Sequence, residues 1–223
     1  MGKKELQEYV NHVAEILLEN CAFIGDDAEM RNVADEIIEL LNDVIDYGIV
    51  FAKEYPRELQ MTSAMINYAE HILMPLSYGV YLDFLSANIP ACLMQLRVMT
   101  EFLPMCLYAD LKDPQQKFFL HKTFALERKL KERRTSISKI IRDSSAFVGE
   151  KTSNETLLLW RELSEYWVHP AGLMRRIFID AVESRQIPAW AVAIPMGYIE
   201  EDKAIIMEFF KHLSLFRRLL RVF

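Results

Sequence analysis

Arg161, Glu165 and His169 have the residue types and the spacing that acid–base chemistry requires. Each lies four residues from the next, so on a helix the three side chains follow one stripe over two turns. An imidazole titrates near neutrality and can accept or donate a proton, and Glu165 is placed to orient its ring. The alternative is an ordinary ladder of ion pairs on a helix surface. Two other Glu–His pairs share this spacing: Glu8 with His12 and Glu208 with His212.

Arg97 and Glu101 form a second candidate site. They are the only charged residues between Ala91 and Tyr108, and their four-residue spacing lets the side chains meet on a helix. A helix this apolar is expected to be buried on most sides, where a charge must be paired. Pro104 removes a helical hydrogen bond nearby. The pair is therefore a structural ion pair, a pair on the one exposed edge of the helix, a charge pair at a subunit interface, or the wall of a ligand pocket in which Arg97 binds an anion.

Residues 127–142 are strongly basic in an otherwise acidic chain. Residues 117–142 contain nine Lys or Arg and two Glu, whereas residues 1–60 contain five Lys or Arg and fourteen Asp or Glu. Either the two regions pack together and neutralise each other, or the helix predicted at 127–142 binds a polyanion such as RNA, or a protein partner. No aromatic residue lies within the basic core, which disfavours stacking on unpaired bases. The candidate binding residues are Arg128, Lys129, Lys131, Arg133 and Arg134.

Signatures of common cofactor and metal enzymes are absent. The chain has no glycine-rich phosphate-binding motif, no G-x-S-x-G and neither H-E-x-x-H nor Glu-x-x-His, so we predict no metal and no cofactor. Cys21, Cys92 and Cys106 form no C-x-x-C pair and predict reduced thiols in a reducing, cytoplasmic compartment. No signal peptide is recognised, and the longest uncharged stretches are too short to span a membrane.

The scarcity of turn residues predicts a helical fold. The chain has 7 Gly and 8 Pro among 223 residues, and its apolar residues recur at helical spacing. No linker or repeat divides it, so residues 1–223 are predicted to form a single all-α domain, an antiparallel bundle of six to eight helices. The predicted helices cover residues 3–22, 28–53, 58–86 with a kink at Pro75, 90–111, 114–147, 154–168, 171–183 and 200–222, with an irregular stretch at 185–199.

Two stretches resemble uncharacterised prokaryotic helical proteins of the HEPN-like kind. LRVMTEFLPMCLYAD at 96–110 is similar to their L-R-x-x-x-E core helix, and LWRELSEYWVHP at 159–170 is similar to their late helix ending in a histidine. HEPN nucleases cut RNA with an Arg followed, after four to six residues, by a His at a dimer interface. The resemblance implies a bundle that forms a homodimer and a metal-independent ribonuclease site at Arg161 and His169, with Glu165 or Glu101 nearby. Seven residues separate Arg161 from His169 here.

Three functions follow from these patterns. The first is a non-enzymatic interaction or regulatory module that binds a polyanion or a protein partner through residues 127–142. The second is a HEPN-like ribonuclease. The third is a small-ligand sensor with a pocket at Arg97 and Glu101.

Overall fold

The fold is all-α, as predicted, and the computed structural model describes residues 3–114, 118–165 and 197–223. Within those residues there is no strand. The predicted helix at 171–183 and most of the irregular stretch at 185–199 lie outside the described residues. The helices are α1 (Lys3–Asp26), α2 (Ala28–Glu54), α3 (Arg57–Thr62), α4 (Ala64–Tyr68), a π-helical turn (Ala69–Leu73), α5 (Met74–Leu85), α6 (Ile89–Lys112), α7 (Phe119–Lys131), α8 (Ile137–Asp143), α9 (Ser145–Val148), α10 (Glu150–Leu163), a 3₁₀ turn (Glu200–Asp202) and α11 (Lys203–Leu220).

Asp27 separates α1 from α2, as its side-chain chemistry predicts. Its carboxylate accepts hydrogen bonds from the backbone N–H groups of Glu29 at 2.8 Å and Met30 at 3.0 Å, which otherwise lack partners in the first turn of a helix. Lys203, the first residue of α11, places Nζ 2.6 Å from the same carboxylate. The Lys203 ammonium and the two amides hold the pKa of Asp27 below its usual range. This one side chain therefore caps α2 and fixes the start of α11.

The helix predicted over 58–86 has two interruptions. Ser63 ends α3 and caps α4, and its hydroxyl accepts the N–H of Ile66 at 3.2 Å. The second interruption is the π-helical turn, which stands just before Met74 and Pro75. Proline has no N–H, and its ring collides with the carbonyl four residues earlier. A wider turn relieves that collision, so the irregularity predicted at Pro75 takes this form.

The helix α6 lies at the centre of the bundle and packs against α4, α5, α7, α8, α10 and α11. Pro104 lies inside it, and the Tyr68 hydroxyl donates to the carbonyl of Met99 at 3.0 Å, close to the turn that Pro104 disturbs. Burial raises the pKa of the Cys106 thiol to about 12, which favours the protonated, less reactive form at neutral pH. The fully buried side chains around α6 include Leu93, Leu96, Met99, Phe209 and Phe216.

Asp110, near the end of α6, joins three helices. Its carboxylate accepts the Ser63 hydroxyl at 2.9 Å and the N–H groups of Ala64 at 2.8 Å and Met65 at 3.0 Å. The Lys122 ammonium of α7 completes the set at 2.8 Å. Lys122 is buried, so it serves the core and does not belong to an exposed basic face.

The single helix predicted over 114–147 is wrong. The chain forms α7, α8 and α9, with a turn at 132–136 between the first two. Arg133 has a positive φ of 56°, a conformation that breaks a right-handed helix. Ser136 then caps α8, and its hydroxyl accepts the N–H of Lys139 at 3.3 Å. The turn redirects the chain so that Ile140 and Ile141 are fully buried.

The acidic region pairs with the last helix. Arg217 on α11 is only 7% exposed and contacts three carboxylates of α2: Glu36 at 2.8 Å, Asp43 at 3.0 Å and Glu39 at 3.4 Å. Arg221 adds a contact to Asp43 at 3.2 Å. Among the described residues, the cations that pair with Glu36, Glu39 and Asp43 thus come from α11 and not from the basic segment.

None of the described helices is long and apolar enough to cross a membrane.

Candidate functional site

The five predicted binding residues lie at the end of α7 and in the turn that follows it, and all five are exposed. We call them the basic surface: Arg128, Lys129, Lys131, Arg133 and Arg134. The side chains of Lys131 and Arg134 are 74% and 71% exposed. The helix α7 places Leu126 in the core, and a residue two positions further along a helix points to the opposite side. Arg128 therefore faces away from the bundle.

Carboxylates neutralise only part of the basic surface. Lys131 pairs with Glu127 at 2.6 Å and Arg134 pairs with Glu132 at 2.8 Å. Both pairs lie at the protein surface, where such contacts contribute little free energy and exchange readily with other partners. Within the described part of the chain, no carboxylate forms an ion pair with Arg128, Lys129 or Arg133, so the basic surface has more cations than carboxylate partners among these residues.

An exposed aromatic ring lies beside these cations, which the sequence analysis missed. Phe124 on α7 is 59% exposed and precedes Arg128 by four residues, so the two side chains share one face of the helix. The sequence signal was this spacing from Phe124 to Arg128 and Lys131. Phe124 precedes the basic core at residues 127–142, which itself contains no aromatic residue.

Arg97 and Glu101 form the ion pair that their spacing predicts. Their side chains are 22% and 18% exposed, and both also bond to residues of α10 or its end. The Trp160 indole N–H donates to Glu101 Oε2 at 3.2 Å, and Arg97 Nε donates to the Ser164 hydroxyl at 3.3 Å. The pair thus links α6 to α10. The candidate ligand-binding residues are satisfied by protein groups in this structure.

Arg161 and Glu165 lie on the outward side of the same helix and its end, where both side chains are exposed. No ion pair joins them within the described residues. His169, the third member of the predicted acid–base set, lies outside the described residues.

Glu162, between them in the sequence, makes a contact that spacing did not predict. Its carboxylate lies 3.1 Å from Nε2 of His212 on α11, and His212 is buried between apolar neighbours. His212 falls on the apolar stripe of α11 between Phe209 and Phe216. That periodicity could have placed it in the core, whereas the four-residue spacing pointed to a surface pair with Glu208.

No cluster of three or more His, Cys, Asp or Glu side chains suited to a metal ion occurs in the part of the chain that the structure describes. No family model, curated protein or solved structure gives a significant match to this chain.

Proposed function

We propose that this protein is a non-enzymatic module that binds single-stranded RNA through the basic surface and Phe124. The observation that carries the proposal is the exposure of five cationic side chains, of which three have no carboxylate partner among the described residues. When Lys and Arg side chains bind the phosphates of a nucleic acid, the counterions condensed on that nucleic acid are released, and this release drives binding.

The position of the compensating charges supports a polyanion over an intramolecular role. Three carboxylates of α2, those of Glu36, Glu39 and Asp43, are engaged by Arg217 and Arg221 of α11. Among the described residues, no carboxylate of α1 or α2 forms an ion pair with the basic surface, so its excess positive charge is available to an anionic ligand.

Phe124 supports a single strand over an acidic protein. An exposed ring next to cations can stack on an unpaired base while the cations hold the phosphates, and such stacking is tolerant of sequence. A duplex hides its base faces, and an acidic peptide has no base to stack.

The test measures electrophoretic mobility of a mixed single-stranded RNA pool at low and high salt, with EDTA present. We expect salt-sensitive binding that the double variant Arg133→Glu/Arg134→Glu abolishes. The neutral double variant Arg133→Gln/Arg134→Gln removes two phosphate contacts without adding negative charge, so it should weaken binding and lower the magnitude of the slope of log K against log salt by about 1.4, at about 0.7 per contact for a single strand. The matched control, Lys53→Glu/Lys211→Glu, changes the same charge at exposed positions outside the basic surface and should bind like the parent protein.

Phe124→Ala separates the possible partners. We expect this variant to weaken the binding of single-stranded RNA about ten-fold or more, which is within the range for loss of one stacked base. The binding of duplex RNA should be unchanged. If polyglutamate bound as tightly as RNA and Phe124→Ala had no effect on either, the partner would be an acidic protein and not RNA. Absence of any salt-sensitive binding would refute the proposal.

The ribonuclease hypothesis makes a different prediction in the same assay. The exposure of Arg161 and Glu165 leaves both accessible to a substrate. Cleavage in EDTA that is lost in Arg161→Ala and in His169→Ala, but not in Arg133→Glu/Arg134→Glu, would favour that function. RNA that is bound but remains intact favours the binding module.

The homodimer remains part of the proposal. Three exposed apolar side chains of α5, Met74, Tyr78 and Leu82, are spaced four residues apart and so form one stripe that a second copy could cover. Sedimentation at micromolar concentration should give twice the chain mass of 26.1 kDa, and Tyr78→Glu should shift it to the monomer. A monomer in the parent protein would remove the homodimer from the proposal without affecting RNA binding.

A further inference from the structure

The structure contains an apolar cavity that has no part in the basic surface. It lies between α2, the α4–π-turn segment and the end of α11, opens to solvent on one side and has a volume of about 240 Å³. An apolar cavity of about 150 Å³ is sufficient to bind benzene. The cavity is therefore large enough for a molecule of one or two rings.

One wall of the cavity is aromatic. Tyr47, Phe51 and Tyr55 follow one another at four-residue intervals on α2, so their rings form a ladder on one face of the helix. The ring centroids of Tyr47 and Phe51 are 6.3 Å apart with an interplanar angle of 20°, and those of Phe51 and Tyr55 are 5.8 Å apart at 57°. Aromatic rings favour offset-stacked or edge-to-face contact with another ring, so this wall selects a planar aromatic ligand over an aliphatic one.

The wall formed by α4 and the π-helical turn is mostly aliphatic, although the Tyr68 ring also lines it. Ala69 and Leu73 of that turn line the cavity together with Met65 and Ile66. A π-helical turn disrupts the regular helical hydrogen-bond pattern and is found frequently at functional sites. Ala69 contributes only a methyl group, and a larger side chain at this position would occupy part of the cavity.

The polar groups at the cavity suit a neutral ligand. None of the described side chains that line it is charged. The Tyr47 hydroxyl has no hydrogen-bond partner among the described residues, and burial together with nearby Asp43 raises its pKa. It therefore stays protonated and can form one hydrogen bond with a ligand. A charged ligand would lose its hydration without gaining an opposite charge in the wall.

We propose that this cavity binds a small, uncharged, planar aromatic molecule of one or two rings that carries one hydrogen-bonding group. The aromatic wall stacks on the ring, the aliphatic wall covers its other face, and Tyr47 bonds to the polar group. The proposal is independent of RNA binding because the basic surface contributes no residue to the cavity.

The test uses indole as the probe and cyclohexanol as a non-planar control, with the full chain, saturation-transfer NMR and thermal denaturation. We expect saturable indole binding and an indole-dependent rise in Tm, since a ligand of the folded state stabilises it, and at least ten-fold weaker binding of cyclohexanol. Ala69→Leu should abolish indole binding, whereas Ala204→Leu, the same change at an exposed position of α11, should retain it.

A second variant decides the matter if Ala69→Leu does not fold. Phe51→Leu keeps an apolar side chain on the half-exposed face of α2 and removes one ring from the aromatic wall. This variant should weaken the binding of indole at least five-fold and leave the binding of cyclohexanol unchanged. Indole that does not saturate up to millimolar concentration, or that binds equally well to folded Ala69→Leu or to Phe51→Leu, overturns the proposal.

Discussion

Arginines occupy two opposite environments in this molecule. Arg217 is 7% exposed and contacts three carboxylates of α2. Arg133 is exposed, and no carboxylate pairs with it in the described part of the chain. The guanidinium of Arg217 thus stabilises the fold, whereas that of Arg133 makes no ion pair on which the fold depends among the described residues. The difference separates charge that stabilises the structure from charge that is available to a ligand.

The largest effect on stability should come from removing the buried charge. Arg217→Met keeps an alkyl chain of similar length, leaves Glu36 and Glu39 without their cation, and leaves Asp43 paired with Arg221 alone. Breaking a fully buried pair costs about 3–5 kcal/mol. These carboxylates are 19–57% exposed and can be partly rehydrated, so we expect a loss of about 2 kcal/mol in the free energy of unfolding. Urea denaturation measures it.

Arg134→Met is the matched control from the basic surface. Its partner Glu132 is exposed, and surface ion pairs contribute about 0–1 kcal/mol. The free energy of unfolding should therefore change by less than about 0.5 kcal/mol, while RNA affinity falls. If Arg134→Met destabilised the protein as much as Arg217→Met, the distinction between structural and available charge would be lost.

A smaller effect on stability is expected at the link between α6 and α10. Trp160→Phe keeps the aromatic ring and removes the donor to Glu101 Oε2. One hydrogen bond to a charged, partly buried group contributes about 1.5 kcal/mol. Arg97 still pairs with Glu101 in the variant, so we expect the free energy of unfolding to fall by about 0.7 kcal/mol or less. Chemical denaturation measures this loss. Loss of RNA cleavage or RNA binding in this variant, with stability unchanged, would instead make the pair part of a functional site.

The smallest effect should appear at Asp27 and only as a dependence on pH. Lys203 and two amides lower the pKa of Asp27 in the folded state. The contribution of the Asp27 carboxylate to folding stability is therefore fully present above its pKa in the unfolded chain, about 3.9. This contribution is lost as the pH falls through the lower pKa of the folded state. Asp27→Asn keeps an acceptor for the cap but removes the charge that pairs with Lys203. The variant should therefore have a lower free energy of unfolding than the parent at pH 7, and this difference should narrow as the pH falls below about 4. A double-mutant cycle with Lys203→Met isolates the energy of the Asp27–Lys203 ion pair. If the stability difference between parent and Asp27→Asn persisted at pH 2, the effect would come from the helix cap instead.

The elements that local pattern controls could be predicted from the sequence. The positions of α2 and α6 agree with the prediction to within a residue, because Asp27 and Pro90 mark their starts. The Arg97–Glu101 pair followed from its spacing alone, since residues four apart on a helix are neighbours. Its partners Trp160 and Ser164 could not be predicted, because they come from a helix about 60 residues away in the chain.

The break at 132–136 could not be predicted from periodicity. Leu126, Leu130, Ile137 and Ile141 keep a spacing that suits one continuous helix, and no Gly or Pro interrupts them. The one available signal was Ser136 as a helix cap. Likewise, the charge excess of residues 1–60 indicated that cations were needed but not that α11 would supply them, because charge totals carry no information about position.

Asp110 has a consequence for how the molecule opens. The first amides of a helix normally exchange their hydrogens with solvent through fraying of the helix end. The amides of Ala64 and Met65 instead bond to a carboxylate on α6, which Lys122 of α7 also engages. Their exchange therefore requires α4 and α6 to separate, so these two protons report a shared opening of the bundle rather than the fraying of one short helix.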